Sequence, residues 1–393
     1  MTWHIIHIID IILWIITAGS VGYVLLFALM SLFRKKQLKT YENTHSAHSR
    51  FAVIYPAYNE DSVIRNSIEI FLHQDYPISL FHLVVVSDHM QPSTNEWLAS
   101  QPLQLLKPVF EKSSKAKALQ YAIKQLEGFD FSHIVILDAD NVVDSNFLTK
   151  LDAVCQQGHK AIQCHRTAKN SDNDISALDG LSEEINNTIF RRAHNNIGLS
   201  SALIGSGMCF DYQWFVTHVN MLSSAVEDRE LETFLAKQNI YVKYVEDILV
   251  YDEKVSNKDN FQSQRMRWMT GQIQALLQML PYLFTALIKG NIDYIDKTIQ
   301  QALIPRSILL ATIPFMALIM TIVHPLWSIK WWAMLLCLCI SLLIAIPSRL
   351  RTTAMLRKLS SFPDLVWRLL KNIVRIDHKN TDFIHTTHEK KSV

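Results

Sequence analysis

The chain has 393 residues, 49% of them apolar, with 38 Lys and Arg against 36 Asp and Glu and a formal net charge of +2. That length holds two or three modest domains, and the near balance of charge speaks against a dedicated nucleic-acid binder, since no large basic block lies in the polar middle. Cys155, Cys164, Cys209, Cys337 and Cys339 show no Cys-x-x-Cys spacing, so neither a zinc site nor a disulfide framework is indicated and the thiols read as reduced.

From Ile11 to Phe33 there is no charged side chain. At about 1.5 Å per residue this run is long enough to cross roughly 30 Å of hydrocarbon as a helix. No basic segment precedes it and Arg34, Lys35, Lys36 and Lys39 follow it, so it reads as an anchor rather than a cleaved signal. From about Ser49 to Trp268, short β-rich runs alternate with helical patterns, the signature of a mostly parallel sheet covered by helices. Phe51–Tyr55 and His82–Val86 read as buried strands, and Lys115–Leu126 as a helix leading into a third strand, Ile134–Leu137. Each strand runs into polar residues: Pro56-Ala-Tyr-Asn-Glu60, Ser87-Asp88 and Asp138-Ala-Asp140. These would line the carboxyl edge of one sheet, where open α/β folds bind ligands. Residues i and i+2 of a strand share a face, so Asp138 and Asp140 could point at one divalent cation with Ala139 turned to the layer behind. No glycine-rich phosphate loop is present, so charge neutralisation falls to metal and side chains.

Beyond the middle, Gln272–Ile288 is broadly apolar with glutamines on one side, and reads either as a helix in the membrane surface or as one packed on the soluble domain. Ser307–Ser348 is apolar except at His324-Pro325 and Lys330, and reads as two short spans joined by a tight turn, or as a re-entrant hairpin. Arg349, Arg351, Arg357 and Lys358 follow it, Phe362–Ile376 repeats an apolar face, and His378–Val393 is a polar tail. Counting basic residues places the centre and the tail on the cytoplasmic side of a plasma (inner) membrane, with three crossings and the N-terminus outside. The expected division is an anchor with basic linker (1–48), a catalytic domain (49–270), interfacial helices (271–302), a transmembrane hairpin (303–350) and a cytoplasmic amphipathic segment with tail (351–393).

In order, Ala52-Val-Ile-Tyr-Pro-Ala-Tyr-Asn-Glu60, Ser87-Asp88, Lys115-Ala-Lys-Ala-Leu-Gln120, Asp138-Ala-Asp140, Gly205-Ser-Gly207, Val226-Glu-Asp-Arg229 and Gln264-Arg-Met-Arg-Trp268 resemble the motifs of the family 2 glycosyltransferases. These are the membrane-associated group that includes the cellulose, chitin and hyaluronan synthases. The resemblance covers roughly Arg50–Trp268 and the membrane layout. It implies a GT-A-like α/β fold with a mostly parallel sheet, flanked by transmembrane helices at both ends.

Carried over by position, the resemblance sets Pro56, Tyr58, Glu60 and Asp88 beside the uridine of a UDP-sugar, although Asp88 also suits a plain turn. Lys115 matches the basic residue that reaches the nucleotide, with Ser114 standing where the family usually has Gly. Asp138 and Asp140 would hold Mg2+ or Mn2+ against the diphosphate. Asp228 matches the catalytic base that takes the acceptor proton, with Glu227 next to it as the other candidate and a capping role for Asp228 as the bland one. Gly207, in the Gly205–Gly207 segment, would let the backbone approach the acceptor sugar, or would simply make a turn. Gln264, Arg267 and Trp268 would lie over acceptor and diphosphate, or the same helix edge would snorkel at the membrane. The implied activity is metal-dependent, inverting transfer from a UDP-sugar to a glycan or lipid-linked acceptor, leaving a β-linkage. Membrane lipid surrounds the enzyme, and either associated copies or an export partner would complete a route for product. A glycosidase has no use for a nucleotide site beside a strand-end acid pair. The reading from a different class is a non-catalytic, nucleotide-sugar-binding subunit of a polysaccharide assembly complex. Processive synthesis and single transfer both stay open.

Overall fold

The computed structural model of the chain describes residues 2–33, 48–224, 226–255 and 257–358. The basic cluster Arg34, Lys35, Lys36 and Lys39, the expected helix Phe362–Ile376 and the tail from His378 lie outside the described residues. The strands are β1 (Phe51–Tyr58), β2 (Phe81–Asp88), β3 (Gln104–Leu106), β4 (His133–Ile136), β5 (Val142–Val143), β6 (Ala161–Ala168), β7 (Met208–Asp211) and β8 (Val242–Asp252). They form one eight-stranded sheet in the order β3-β2-β1-β4-β7-β6-β8-β5. β3, β2, β1 and β4 run parallel, as do β6 and β8, whereas β7 is antiparallel to both its neighbours and β5 to β8. The expected, mostly parallel sheet is present.

The helices up to residue 237 are α1 (Thr2–Met30), α2 (Ile64–Phe71), α3 (Pro92–Ala99), α4 (Lys115–Gln125), α5 (Phe147–Cys155), α6 (Asp174–Asn186), α7 (Ala193–Asn196), α8 (Tyr212–Val219) and α9 (Glu227–Lys237). After them come α10 (Lys258–Lys289), α11 (Ile292–Ala302), α12 (Arg306–Val323), α13 (Pro325–Ala345) and α14 (Thr353–Lys358). A π-helical turn, Asn187–Arg192, joins α6 to α7.

Strand alternation decides which layer each residue feeds. Phe51, Val53 and Tyr55 bury against Ile64, Ile68 and Phe71 of α2 and Phe147 and Leu151 of α5. Ala52 and Ile54 bury on the opposite face against Leu119 and Ala122 of α4 and Phe215 of α8. With both faces covered, the sheet positions only its edges and strand ends for ligands.

Among the described residues four helical stretches are long and apolar enough to cross a membrane: His7–Met30, Asn260–Lys289, Arg306–Val323 and Pro325–Ala345. Three of them match the anchor and the hairpin, and Pro325 at the first turn of α13 makes the expected break. The fourth is α10, a single helix that runs unbroken through residues 270 and 271, where a domain boundary was expected. α1, α12 and α13 pack through Val21, Leu309, Ile313, Trp331 and Leu338. At the far end Lys330 of α13 pairs with Asp10 of α1, Trp331 Nε1 donates to Asp10 at 2.8 Å, and His7 lies against Trp327. At the near end α1 is tied to the globular domain: the Tyr23 hydroxyl donates to Asp296 at 2.7 Å, and Phe27 stacks on His194 at 3.8 Å.

α9 and α11 meet through a buried ion pair, Lys297 Nζ to Glu232 Oε1 at 3.0 Å, with the side chains only 1% and 6% exposed. Removing one member leaves a buried charge alone, so Lys297→Met is expected to cost about 3–5 kcal/mol in unfolding measurements. Adding Glu232→Gln in the same chain should recover more than half of that loss.

Candidate active site

The ends of β1 and β2 are knitted together. Asn59 and His89, each just past its strand, both adopt φ of 56°, a left-handed hook that turns the chain off the sheet. Asn59 N donates to Asp88 O at 3.0 Å, and Glu60 N to Met90 Sδ at 3.0 Å. Asp88 is 3% exposed and its Oδ1 lies 2.5 Å from His89 Nδ1, while the Tyr58 ring faces the His89 ring. Pro56, Tyr58, Glu60 and Asp88 thereby line one wall of a cavity of about 860 Å3.

Asp138 and Asp140 line the same cavity, but not as residues of a strand. β4 ends at Ile136, and the two acids sit in a turn closed by Asn141 N donating to Asp138 O at 3.0 Å. The expected shared strand face is therefore replaced by turn geometry: the Asp138 side chain is 31% exposed, whereas Asp140 is 6% exposed. Ala139 does turn into the core. Asn141, fully buried, organises the turn: its Oδ1 accepts from Asp138 N at 3.0 Å and from Ser206 Oγ, and its Nδ2 donates to Asp140 Oδ1 at 3.0 Å. Asp140 Oδ2 accepts from Glu253 N at 2.8 Å.

Lys115, first residue of α4, is the hub. Its ammonium donates to Asp138 Oδ1 and to Gly205 O at 2.6 Å, and lies 3.4 Å from Glu227 Oε1. A Cβ placed on Gly205 would stand 3.7 Å from each of Asp228 Oδ2, Glu227 Oε1 and Lys115 Nζ, so the start of α9 and the turn after β4 converge on one point. Ser114 suits its position: with φ of −156° its backbone is extended, needs no glycine, and its Oγ caps α4 by accepting from Lys117 N. Burial works to discharge Lys115, but Asp138, Glu227 and Asp228 outweigh it and raise the amine's pKa. Burial also pushes the Glu227 carboxyl up to about 7, against the pull of Lys115 and with a further push from Asp228. Glu227 is 7% exposed, whereas Asp228 is only half-buried and lines the cavity wall.

Gln264, Arg267 and Trp268 of α10 line the same cavity. The intervening Arg265 is held inside the domain, 2.5 Å from Asp179 and stacked over Trp268 at 4.8 Å. α10 leans directly on the residue before Glu227: a Cβ on Gly271 would fall 2.4 Å from Val226 Cγ1. Gly207 has a different role from the expected one. Its N donates to Ile136 O at 2.9 Å, its O accepts from Cys164 N at 2.8 Å, and a Cβ there would meet Val250 at 2.9 Å. It joins strands inside the sheet, and Gly205 is the glycine of that segment that lines the cavity.

Beneath the site is a set of charges with no motif to announce it. Arg166 Nε donates to Glu183 Oε1 at 2.8 Å, and Lys254 Nζ donates to Glu183 and, at 2.6 Å, to Asp252. Burial alone would raise the Glu183 pKa, yet Arg166 and Lys254 hold it well below the usual carboxylate range. Asp252 reaches Asn141 at 3.2 Å, which couples this floor to the Asp138 turn. Arg166 lies on β6, Glu183 on α6, Asp252 at the end of β8 and Lys254 just past it.

Among the described residues no group of three or more His, Cys, Asp or Glu side chains could by itself hold a metal ion. Asp138 and Asp140 nonetheless fit Mg2+ or Mn2+ that reaches the site with a nucleotide, since such ions take one or two carboxylates and complete their shell with phosphates and water. The oxygen-only donor pair and its position in the cavity wall agree with a hard cation.

A model of glycosyl transferase family group 2 matches residues 133–346, and one of glycosyl transferase family 2 matches residues 52–213. Among solved structures the chain is similar to the mannosyltransferase PcManGT from Pyrobaculum calidifontis in complex with GDP-Man and Mn2+, at 18% identity and a TM-score of 0.54, over 84% of this chain and 96% of that one. It is more loosely similar to S. aureus TarS 1-349 in complex with UDP, at 15% identity and a TM-score of 0.41, over 86% and 95% of the two chains. The first likeness shows the fold, a GT-A α/β domain with a mostly parallel, curled sheet. No curated protein sequence matches the chain.

Two outcomes follow from the geometry. Gly271→Ala should force α10 away from Val226, destabilising the protein by about 1–3 kcal/mol, with Val226→Ala in the same chain restoring it. Glu227 binds a proton more tightly folded than unfolded, so its burial lowers stability as pH rises from about 4.5 to about 7. In thermal unfolding between pH 4.5 and 8, Glu227→Gln should flatten that decline, gaining on the order of 1–3 kcal/mol relative to the parent above pH 7.

Proposed function

We propose a reaction for a chain that belongs to glycosyl transferase family group 2, matched by that family's model over residues 133–346, and that is therefore a glycosyltransferase. It moves a sugar from a nucleoside-diphosphate sugar, here taken as a UDP-sugar, to a glycan or lipid-linked acceptor, inverting the anomeric centre to a β-linkage. The observation that carries this reading is the convergence on Lys115 of Asp138 and the Glu227-Asp228 pair, in one cavity with Asp88 and Trp268.

In this reading Pro56, Tyr58, Glu60 and Asp88 border the nucleoside, and the buried Asp88 carboxylate accepts from the base or ribose. Lys115 offers its ammonium to the diphosphate, which competes with Asp138 for it. Asp138 and Asp140 hold the divalent cation, which when bound supplies positive charge for the departing diphosphate. Asp228 takes the acceptor proton as that oxygen attacks the anomeric carbon from the face opposite the diphosphate, and the carbon–oxygen bond to phosphate breaks. Access favours Asp228 over Glu227, which is buried and faces Lys115. Arg267 pairs with phosphate and the Trp268 face stacks on a sugar ring. A subunit that only bound nucleotide sugar would have no use for a carboxylate where Asp228 stands.

The membrane arrangement proposed is three crossings, α1, α12 and α13, with α10 along the interface. Its support is that α10 buries Met279 and Ala286 against the domain while Leu277, Leu280, Phe284, Leu287 and Ile288 stay exposed, an apolar stripe at helical spacing. The Asp10–Lys330 end lies opposite the catalytic domain, and Arg349, Arg351, Arg357 and Lys358 lie on the domain's side, which matches a cytoplasmic site at the plasma membrane.

Membranes carrying the chain should release nucleoside diphosphate in a Mg2+- or Mn2+-dependent way from one donor in a panel of UDP-sugars and GDP-mannose. GDP-mannose belongs in the panel because the similar mannosyltransferase was solved with it. Asp228→Asn is expected to lower transfer by about a hundredfold or more while changing nucleotide affinity by less than about threefold. Transfer at the parent rate by that variant would remove Asp228 from the mechanism.

A further inference from the structure

The cavity does not stop at the catalytic acids. Its wall continues from Asp228 past α10 to Val24 of α1, Leu310 of α12, and Leu342, Leu343 and Ile346 at the end of α13. Leu343 is 57% exposed on a helix apolar enough to face hydrocarbon, so the apolar end of the cavity reaches the outer surface of the helix bundle. One space thus has carboxylates at one end and membrane-grade apolar side chains at the other.

Between the two ends stands Arg306, the first residue of α12. Its Nη2 donates only to neutral oxygens, Asn186 Oδ1 at 2.7 Å, Ser182 O at 3.1 Å and Ser182 Oγ at 3.2 Å. Its Nη1 is buried without a hydrogen-bond partner, as is Nε of the neighbouring Arg265. Lys115, Arg166, Lys254 and Lys297 each touch a carboxylate, whereas Arg306 has no acidic partner among the described residues. A buried guanidinium with an unused edge is costly unless an anion arrives to take it.

We propose that this half of the cavity binds the acceptor, and that the acceptor is a membrane amphiphile with a phosphate between its apolar tail and the hydroxyl that receives the sugar. The phosphate oxygens take the unpaired Nη1 of Arg306, part of a fork that matches them in geometry as well as charge. The tail lies along Leu310, Leu342 and Leu343, and the hydroxyl is carried toward Asp228. The acceptor O–H bond is lost to Asp228, a bond from that oxygen to the anomeric carbon forms, and the nucleoside diphosphate leaves with the electron pair of the broken bond. This rests on the transferase reading above and adds the chemical class of its acceptor.

The test uses the full-length chain in a mild nonionic detergent, with dodecyl phosphate as the amphiphile probe and titration calorimetry as readout. Dodecyl phosphate should bind the parent, with inorganic phosphate and dodecanol at least about tenfold weaker, since each lacks one of the two matched features. Arg306→Gln should weaken dodecyl phosphate by about tenfold or more while leaving nucleotide affinity within about twofold. Arg306→Lys, which keeps the charge and can replace part of the contact to Asn186, gives an intermediate loss if Arg306→Gln does not fold. In membranes, dodecyl phosphate should inhibit transfer competitively with the acceptor and not with the donor. Equal binding by parent and both variants, or inorganic phosphate binding as tightly as dodecyl phosphate, overturns the proposal. Failure of the transferase reading shows separately, as absence of nucleotide release from every donor with probe binding intact.

Discussion

The rest of the site depends on one ammonium group. Asp138, Glu227 and Asp228 come from a turn after β4 and the start of α9, segments far apart in the chain, and three carboxyls cannot all stay ionised in a partly desolvated space without a cation among them. Lys115 supplies it, bonded to Asp138 and Gly205 O and 3.4 Å from Glu227. Burial opposes that charge, and the surrounding acids more than reverse the effect. In the proposed reaction the same balance would let an incoming diphosphate take the ammonium while a divalent cation takes the acid it releases.

Around this hub the fold supplies rigidity in layers. Asn141 and Ser206 fix the Asp138 turn, and Asp252 links Asn141 to the buried charges of Arg166, Glu183 and Lys254. α10 then brings Trp268 and Arg267 over the site while touching Val226 so closely that only glycine fits at residue 271. Because α1 is bolted to His194 and Asp296 and packs on α13, the apolar helices are held against the cavity they help to line. The cavity and the apolar helices are thereby joined by direct packing contacts.

What the sequence made legible was local in origin. Continuous apolar runs marked β1 and β2 because both faces of the sheet are covered, and the uncharged runs with His324-Pro325 marked α1, α12 and α13. The order of short motifs pointed to a GT-A domain, and it is there. The rest is tertiary. Whether Asp138 and Asp140 lie on a strand or in a turn is decided by Asn141 and by Ser206, a residue far along the chain. Gly207 reads as a substrate contact until β4, β6 and β8 are seen to close on it. Ser114 departs from the expected glycine without cost because its φ is extended. α10 hides a close contact, Gly271 on Val226, inside a helix whose apolar character alone drew a boundary through it. Arg166, Glu183 and Lys254 have no spacing that links them, and Arg306 is marked only by a buried Nη1 that, among the described residues, has no hydrogen-bond partner.

The account turns on Lys115 holding the acids together for nucleotide-sugar transfer, and replacing it tests that most directly. Metal-dependent nucleoside diphosphate release should be measured in membranes carrying Lys115→Met, with Lys115→Arg as the variant that keeps the charge. The account predicts a fall of about a hundredfold or more for Lys115→Met and a partial recovery in Lys115→Arg. Release by Lys115→Met within about threefold of the parent, from a chain that is folded and membrane-bound, would contradict it.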